Sequence, residues 1–357
     1  MLGIIMAGGQ GSRLMPLTAT RPKPMVEVLG RPVIDYVKDA MLAAGLDNII
    51  VTTGYRGEQL ERHVEQWNQT DEHGPSVSAR INQEATPMGT AGSVGLLRDL
   101  ITETCVVGSG DAVASFDIGA LLDAHRKNGA KVTMALWEVE DPSEFGIVGL
   151  APTPQGSVDG NLRQGFIRRF LEKPSPEEAF SSVINAGLYI LEPEVFDHIP
   201  HGEKFDFSKQ LFPHLLNLDW PMYAQTIDGV WFDVGHPFEL LKAQSTLIEQ
   251  YDTLPFEYSD GYQRHGSTVS ASPIHSDSAV EHAVLGVNCD VSKGAFVRHS
   301  LIMDGCVLHD GSSTDGSVLG RSVVVPSGCK LVRCVVGDHA VLESNRTYQD
   351  ERIPFES

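Results

Sequence analysis

The chain has 357 residues, enough for two domains, with 41% hydrophobic residues and a formal net charge of −20. That acidity argues against nucleic acid or an anionic membrane as a partner, because both are bound nonspecifically through clustered Lys and Arg, and no apolar run is long enough to span a bilayer. The five cysteines, Cys105, Cys289, Cys306, Cys329 and Cys334, never fall in C-x-x-C spacing, which argues against a disulfide framework and a zinc site and predicts a reducing, cytoplasmic location.

Residues 2–7 are too few for a signal-peptide core and lack a basic flank, so they read as a buried first strand. A helix follows over 32–44, with Ile34, Val37, Met41 and Ala44 on one face, then a strand at 48–53 and a helix at 57–67. The alternation continues with a strand at 77–81, a helix around 90–100, a strand at 104–107, a helix at 118–127 and a strand at 131–139. Such alternation is the pattern of a sheet covered by helices on both faces. From Phe145 it loosens into antiparallel pieces at 146–150, 165–171 and 183–191, with a Gly/Asp turn near 158–161. An insertion this late in an α/β domain is expected to build the second substrate's side of a cleft. Helices at 207–218 and 237–250 flank a strand over 222–232. The expected fold class is α/β, an open and mostly parallel Rossmann-like sheet forming a catalytic domain over 1–251.

Residues 252–267 mix Pro, Gly, Ser and Tyr without periodicity and read as a linker. Beyond it, apolar residues recur every sixth position: Ile274 and Val280, then Leu285, Val291, Val297 and Met303, and in a second register Leu301, Val307, Leu319, Val325 and Leu331. Six-residue spacing with Gly, Ser and Asp between predicts a hexapeptide β-helix over 268–345, short and left-handed, with a tail at 346–357. The slip between registers predicts inserted or shortened turns. His275, His282, His299, His309 and His339 read as solvated turn residues.

The first strand empties into Gly8-Gly9-Gln10-Gly11-Ser12-Arg13, and Pro22-Lys23-Pro24 follows ten residues on. Glycines let backbone N–H groups approach an anion closely, while Arg13, Arg21 and Lys23 bring cations to the same loop. Neither the Rossmann G-x-G-x-x-G nor the Walker A spacing occurs, and Pro16, Pro22 and Pro24 forbid an immediate regular helix. Asp111 and Asp233 each end an apolar strand, the edge where open α/β sheets bind ligands. Asp117 reads as a helix N-cap.

The run G-G-x-G-S-R-L-x-P-L-T with P-K-P resembles the signature of the sugar-1-phosphate nucleotidylyltransferases, and later segments extend the likeness over nearly the whole chain. These are Gly110-Asp111, Gly146 within Glu144-Phe145-Gly146, Phe170-Leu171-Glu172-Lys173-Pro174, Asn185-Ala186-Gly187-Leu188-Tyr189, and Trp231-Phe232-Asp233-Val234-Gly235. The resemblance implies attack of a sugar 1-phosphate on the α-phosphorus of a nucleoside triphosphate. It implies Mg²⁺ on Asp111 and Asp233, Lys173 and Glu172 at the sugar phosphate and a sugar hydroxyl, Asn185 beside them, and Gly146 leaving room for the sugar ring. Gly8, Gly9, Gly11, Ser12, Arg13 and Lys23 would hold the nucleotide. A phosphate monoester has a second pKa of roughly 6, so the nucleophile is already ionised and needs no general base. Charge neutralisation and in-line positioning are what remain for the protein.

The stretch from Glu84 to Gly92 looks like the family's base-reading loop, with Gly89 and Thr90 in contact with the nucleotide. Uridylyl and thymidylyl members have glutamine where this chain has Glu84. A carboxylate only accepts hydrogen bonds, and guanine offers N1–H and a 2-amino group. The run Pro87-Met88-Gly89-Thr90-Ala91-Gly92 also resembles guanylyltransferases of the mannose 1-phosphate type, so the resemblance implies GTP and mannose 1-phosphate, with uridylyl or thymidylyl transfer to glucose 1-phosphate kept open by Gln83. A non-catalytic regulatory subunit is the alternative from another class, and an acyltransferase tail a third. The tail is expected to support a homo-oligomer.

Overall fold

A computed structural model describes residues 1–54, 56–69, 77–250 and 259–354. The expected domain end at 251, the linker residues 252–258 and the tail residues 355–357 lie outside the described residues. In chain order the strands of the first part are β1 (Leu2–Met6), β2 (Glu27–Val28), β3 (Arg31–Pro32), β4 (Asn48–Thr53), β5 (Ser78–Gln83), β6 (Cys105–Ser109) and β7 (Ala112–Ala114). They continue as β8 (Val132–Glu138), β9 (Gly146–Ala151), β10 (Gln164–Glu172), β11 (Val183–Leu191), β12 (Met222–Thr226) and β13 (Trp231–Asp233). The helices are α1 (Val33–Ala43), α2 (Gly57–Trp67), α3 (Gly89–Gly95), α4 (Ile118–Lys127), α5 (Phe212–Asn217) and α6 (Pro237–Glu249). The chain forms two compact units, one of Met1–Gly9 with Ile34–Trp231, the other of Gln10–Val33 with Phe232–Ser357.

The first unit is built on a nine-stranded sheet of order β5-β4-β1-β6-β11-β8-β12-β10-β9. β1 runs parallel to β4 and β6, and β4 to β5. β11 is then antiparallel to both β6 and β8, β12 is parallel to β8, and β10 is antiparallel to β12 and β9. The mostly parallel expectation thus holds for the first half, and the sheet as a whole is mixed. The antiparallel sense of β9, β10 and β11 is the one expected for the pieces after Phe145; what was illegible is that β11 enters the sheet between β6 and β8, because a strand buried along nearly its full length reads as one apolar run wherever it lies. Ile4, Val107, Met134, Leu136, Tyr189, Leu191, Phe207 and Phe212 form its core.

Two elements depart from the expected ones for local reasons. The strand expected at 222–232 breaks into β12 and β13, because Gly229 turns at φ +91° and Val230 N donates to Ser115 Oγ at 3.2 Å. A Cβ at Gly229 would lie 2.6 Å from that same oxygen. The helix expected at 207–218 opens as a π-turn over Phe207–Leu211, next to Pro213, which has no N–H for a regular ladder. Asp117 caps α4 as expected, its Oδ1 accepting from Ala120 N at 2.9 Å.

In the second unit the residues from Thr268 on wind into a parallel β-helix. Its ladders stack Leu285, Ile302, Leu319, Val336 and Ile353 in one column, and Val291, Leu308 and Val325 in a second. A third holds Val280, Val297, Thr314, Leu331 and Tyr348. Each coil therefore takes 17 residues, two faces advancing by six and one by five. The five-residue face is the cause of the register slip. It puts Ile302 and Leu308 in the stacked columns, where the six-residue count had placed Met303, Leu301 and Val307.

Corners of the coil adopt positive φ in columns of the same period: His282, His299, Gly316, Arg333 and Asp350 in one, Asn288, Gly305, Ser322 and His339 in another. Asn, Asp, His and Gly tolerate this region best. In two of the columns the aliphatic positions from Leu285 to Leu342 are preceded, two residues earlier, by a smaller buried one: Ala283, Ser300, Ser317 and Cys334, then Cys289, Cys306, Val323 and Ala340. Cys329 occupies the third such position with Ala295 and Ser312. Four of the five cysteines are thus small corner fillers, and all five are unpaired and buried. Ladders continue through Thr347–Gln349 and Arg352–Ile353, so the start of the expected tail pairs as solenoid, and Gln263–His265, at the end of the expected linker, forms a hairpin with Thr268–Ser270 at the start of the expected β-helix. Among the described residues no helix is long and apolar enough to cross a membrane.

Thr314 stands fully buried in an aliphatic column, and its hydroxyl has no hydrogen-bond partner among the described residues. Thr314→Val should raise the stability of the solenoid by about 1 kcal/mol, while Leu331→Ala next to it should lower it by about 2–4 kcal/mol. Urea unfolding of the two variants beside the parent checks both signs. A Thr314→Val protein less stable than the parent would mean that the hydroxyl is satisfied.

Candidate active site

In the first unit the chain leaves β1 through Gly8 and Gly9. A Cβ at Gly9 would touch no described atom within 4 Å, so internal packing gives no reason for glycine there. Glu84, just past β5, is held from both sides: Oε2 accepts from Met88 N at 2.9 Å and Oε1 from Ser93 Oγ at 2.5 Å. Its carboxylate therefore pins the loop that leads into α3. Gly89 has φ +72°, and a Cβ on it would lie 2.5 Å from Phe205 O, while one on Gly92 would lie 2.8 Å from Glu203 O. These glycines let the 203–207 segment lie against α3, and Thr90 Oγ1 accepts from Phe207 N at 3.0 Å. Asp111 follows β6 half-buried, with Ser109 Oγ donating to its Oδ1 at 2.6 Å.

The sugar-side candidates lie together in the same unit. A Cβ at Gly146 would sit 2.7 Å from Glu172 Oε2 and 2.7 Å from the Phe170 ring, so only glycine lets β9 pass beside β10 here. Burial pushes the Glu172 carboxyl above its ordinary range, Asp206 adds to this, and Lys173 and Lys209 work against it. Lys173 adopts φ +50°, leaves its side chain exposed and pairs through Nζ with Glu144 at 3.1 Å. Asn185 is committed internally: Nδ2 donates to Tyr189 Oη at 2.8 Å and to Ser208 Oγ at 3.3 Å, and Oδ1 accepts from Gly187 N at 3.0 Å. It holds the irregularity between Asn185 and Tyr189 at which β11 changes partners.

The second unit holds the cationic half of the loop. It is a chain of 3₁₀ turns, Ser12–Leu14, Leu17–Ala19 and Lys23–Met25, separated by prolines. Gly11 has φ +64°, and a Cβ there would lie 2.9 Å from Lys23 Cβ and 3.0 Å from Thr18 Cγ2. The loop thereby folds Lys23 beside Gly11. Lys23 Nζ meets Asp233 Oδ1 at 3.0 Å, and Arg13 Nη2 stands 3.8 Å from the other oxygen. Arg21 does not join them. It is buried and turned away, its Nη2 within 2.6 Å of both carboxylate oxygens of Asp338. His236 caps α6 three residues after Asp233, with burial and then Arg352 and Arg13 lowering its pKa.

Among the described residues no three His, Cys, Asp or Glu side chains converge as a preformed metal site. The donors available at Asp111 and Asp233 are carboxylate oxygens, the hard ligands that suit a divalent cation completing its shell with phosphates and water. That chemistry fits a divalent metal, and at Asp233 such an ion would share the carboxylate with Lys23. Sequence reading missed Ser109, Ser93, Asp206 and Lys209. Ser109 and Ser93 lie near Asp111 and Glu84 in the chain, whereas only the fold brings Asp206 and Lys209 to Glu172.

A family model described as Nucleotidyl transferase matches residues 2–250, and one described as GlmU-like, C-terminal hexapeptide, matches residues 257–346. The chain is 31% identical over 252 residues to the Danio rerio protein named mannose-1-phosphate guanylyltransferase catalytic subunit beta, a match covering 70% of this chain and 65% of that one. It is 33% identical over 246 residues to a UTP–glucose-1-phosphate uridylyltransferase of Synechocystis sp., covering 66% of this chain and 60% of that one. The matched stretch is thus under two thirds of those relatives' own length. A crystal structure of UDP-glucose pyrophosphorylase complexed with UDP-glucose aligns with a TM-score of 0.59 at 19% identity, over 70% of this chain and 98% of that one, a likeness of fold. A glycine-bent cationic loop after β1, a mixed α/β sheet and a parallel β-helix of 17-residue coils accompany these matches, and the chain belongs to the nucleotidyl transferase family, with a GlmU-like hexapeptide region at its C-terminal side.

Proposed function

We propose that this protein is a sugar-1-phosphate nucleotidylyltransferase that joins GTP to mannose 1-phosphate, giving GDP-mannose and pyrophosphate. The observation that carries the reading is the gathering of Lys23 and Arg13 at Asp233 by a loop whose glycines bring backbone and cations together. The sugar-phosphate oxygen forms a bond to the α-phosphorus and the bond from that phosphorus to the bridging oxygen breaks, so pyrophosphate leaves. Arg13 and Lys23 offset the charge of the triphosphate and of the departing pyrophosphate, and Lys173 offsets that of the sugar phosphate. Glu172 receives a sugar hydroxyl, Gly146 leaves the ring its space, and Asn185 shapes β11 beneath them.

A divalent cation is the family's general requirement. We take it here to be Mg²⁺ with Asp111 and Asp233 as protein ligands, and it would supply charge neutralisation at the phosphates. Guanine is favoured by Glu84, whose carboxylate retains lone pairs beyond the two used by Met88 and Ser93 and can only accept. The guanylyltransferase named above supports this assignment, and the uridylyltransferase marks the competing one. The hexapeptide match supports a left-handed sense for the β-helix. Self-association through the solenoid, with exposed Val287 and Val341, and a cytoplasmic location suited to five unpaired cysteines complete the proposal.

A pyrophosphate-release screen, each nucleoside triphosphate against each common sugar 1-phosphate, tests the reading directly. Inactivity with every pair would remove it. Asp111→Asn and Asp233→Asn should each lower turnover about a hundredfold or more without loss of cooperative unfolding. Full activity of either variant takes that residue out of the metal site.

Lys173→Ala should raise the KM for sugar 1-phosphate about tenfold and leave that for GTP near the parent value, whereas Arg13→Ala should act chiefly on kcat. Steady-state kinetics in both substrates distinguishes the two patterns. Glu84→Gln should lose most GTP turnover and gain relative activity with UTP or dTTP, a discrimination worth about 2–4 kcal/mol. A parent enzyme that already prefers UTP or dTTP would overturn the guanine assignment and leave the loop and metal assignments standing.

A further inference from the structure

The cationic loop belongs to the same compact unit as the solenoid, and one column of solenoid side chains explains why. Asp304, Arg321 and Asp338 follow one another at the 17-residue period, and the two aspartates make the same local bond, Asp304 Oδ1 accepting from Val287 N at 2.8 Å and Asp338 Oδ1 from Arg321 N at 2.9 Å. The side chains of this column alternate in charge and meet a complementary set on the loop. Thr20 Oγ1 donates to Asp338 Oδ2 at 2.6 Å, Arg21 Nη2 bonds both Asp338 oxygens, and Arg21 Nη1 reaches Met303 Sδ at 3.0 Å. Arg321 in turn pairs with Glu27, the first residue of the β2–β3 hairpin that closes the loop, and stands 3.7 Å from Asp304.

The Arg21 and Asp338 side chains are only 6% and 7% exposed, so this contact is an interior one. Burial pushes Asp338 upward in pKa, but the charge of Arg21 and the hydrogen bonds from Thr20, Arg21 and Arg321 N outweigh it, and the carboxyl stays below its ordinary range. At the other end of the loop, Arg352 on the last described coil donates from Nη1 to the carbonyls of Arg13 and Met15, both at 2.8 Å, and its Nη2 lies 3.2 Å from His236 Nε2. Arg13 thus has its backbone held by the solenoid and its guanidinium 3.8 Å from Asp233.

We propose that Asp338 and Arg352 of the solenoid are positioning residues for nucleotidyl transfer, holding the loop in the shape that presents Arg13 and Lys23. This rests on the nucleotidyltransferase reading above. It makes the hexapeptide region a working part of the transfer site, whatever assembly it also supports. A neutral side chain at 338 leaves Arg21 buried without its counter-charge, a cost that displacement of the loop toward water would relieve.

The test uses the full chain with Asp338→Asn and, as a variant at an exposed position that should fold regardless, Arg352→Gln. Deuterium exchange at the turn amides of Leu14, Met15, Met25 and Val26 should quicken about tenfold in both, with β1 and β4 unchanged. Turnover should fall about tenfold or more while the KM for sugar 1-phosphate stays within about twofold, and Arg352→Lys should restore part of it. Loop exchange equal to that of the parent, or parental turnover in both variants, overturns the proposal. A parent inert toward every substrate pair would instead fail the nucleotidyltransferase reading, and loop exchange would still decide the positioning role.

Discussion

Arg21 sits in the interior against Asp338, and much else in the second unit is arranged around that buried pair. Two charges out of water persist only with good geometry and with their remaining hydrogen-bonding capacity filled, and Thr20, Arg321 N and Met303 fill it here. The pair ties a glycine-rich, proline-broken segment, which could not order itself, to a rigid stack of short strands. Order in the loop then passes to Gly11, Lys23 and Arg13 through steps of a few residues each. Cationic loops in a protein of net charge −20 would otherwise find many carboxylates to neutralise them. Fixing Arg21 on one aspartate keeps Lys23 and Arg13 directed at another, Asp233.

The solenoid suits this task because its stiffness is periodic. Every coil repeats an aliphatic residue facing inward, a small residue at the corner and a residue in the left-handed region that turns the chain. A side chain on its outer face is therefore located by the stack and repeats at a fixed offset, which is how Asp304, Arg321 and Asp338 come to form a column of alternating sign. The buried cysteines belong to the same logic. Cys289, Cys306, Cys329 and Cys334 are of the size that the corners admit, and their conformity to the coil accounts for them without redox or metal chemistry.

In the first unit several residues of the recognisable motifs serve the backbone as much as a ligand. Gly89 and Gly92 make room for the 203–207 segment, Asn185 spends its amide on Tyr189, Ser208 and Gly187, and Glu84 braces the loop before α3. A motif in this fold is therefore a compact set of packing and binding demands, and its spacing is tight because both must be met by the same few residues.

Local pattern alone determined a large part of this protein. The apolar runs at β4 and β11 and the amphipathic faces of α2 and α4 depend only on near neighbours and were legible with their full bounds, and β1 to within one residue. The glycine-rich loop, the strand-end places of Asp111 and Asp233 and the hexapeptide spacing were legible for the same reason. What the tertiary structure decided were quantities without a local signal: the place of β11 between β6 and β8, the five-residue face that makes the coil 17 residues long, and the partner of Arg21. An arginine in a loop looks alike to a chain reader whether it meets a phosphate or a carboxylate more than three hundred residues away, and only the folded stack of coils brings Asp338 to it.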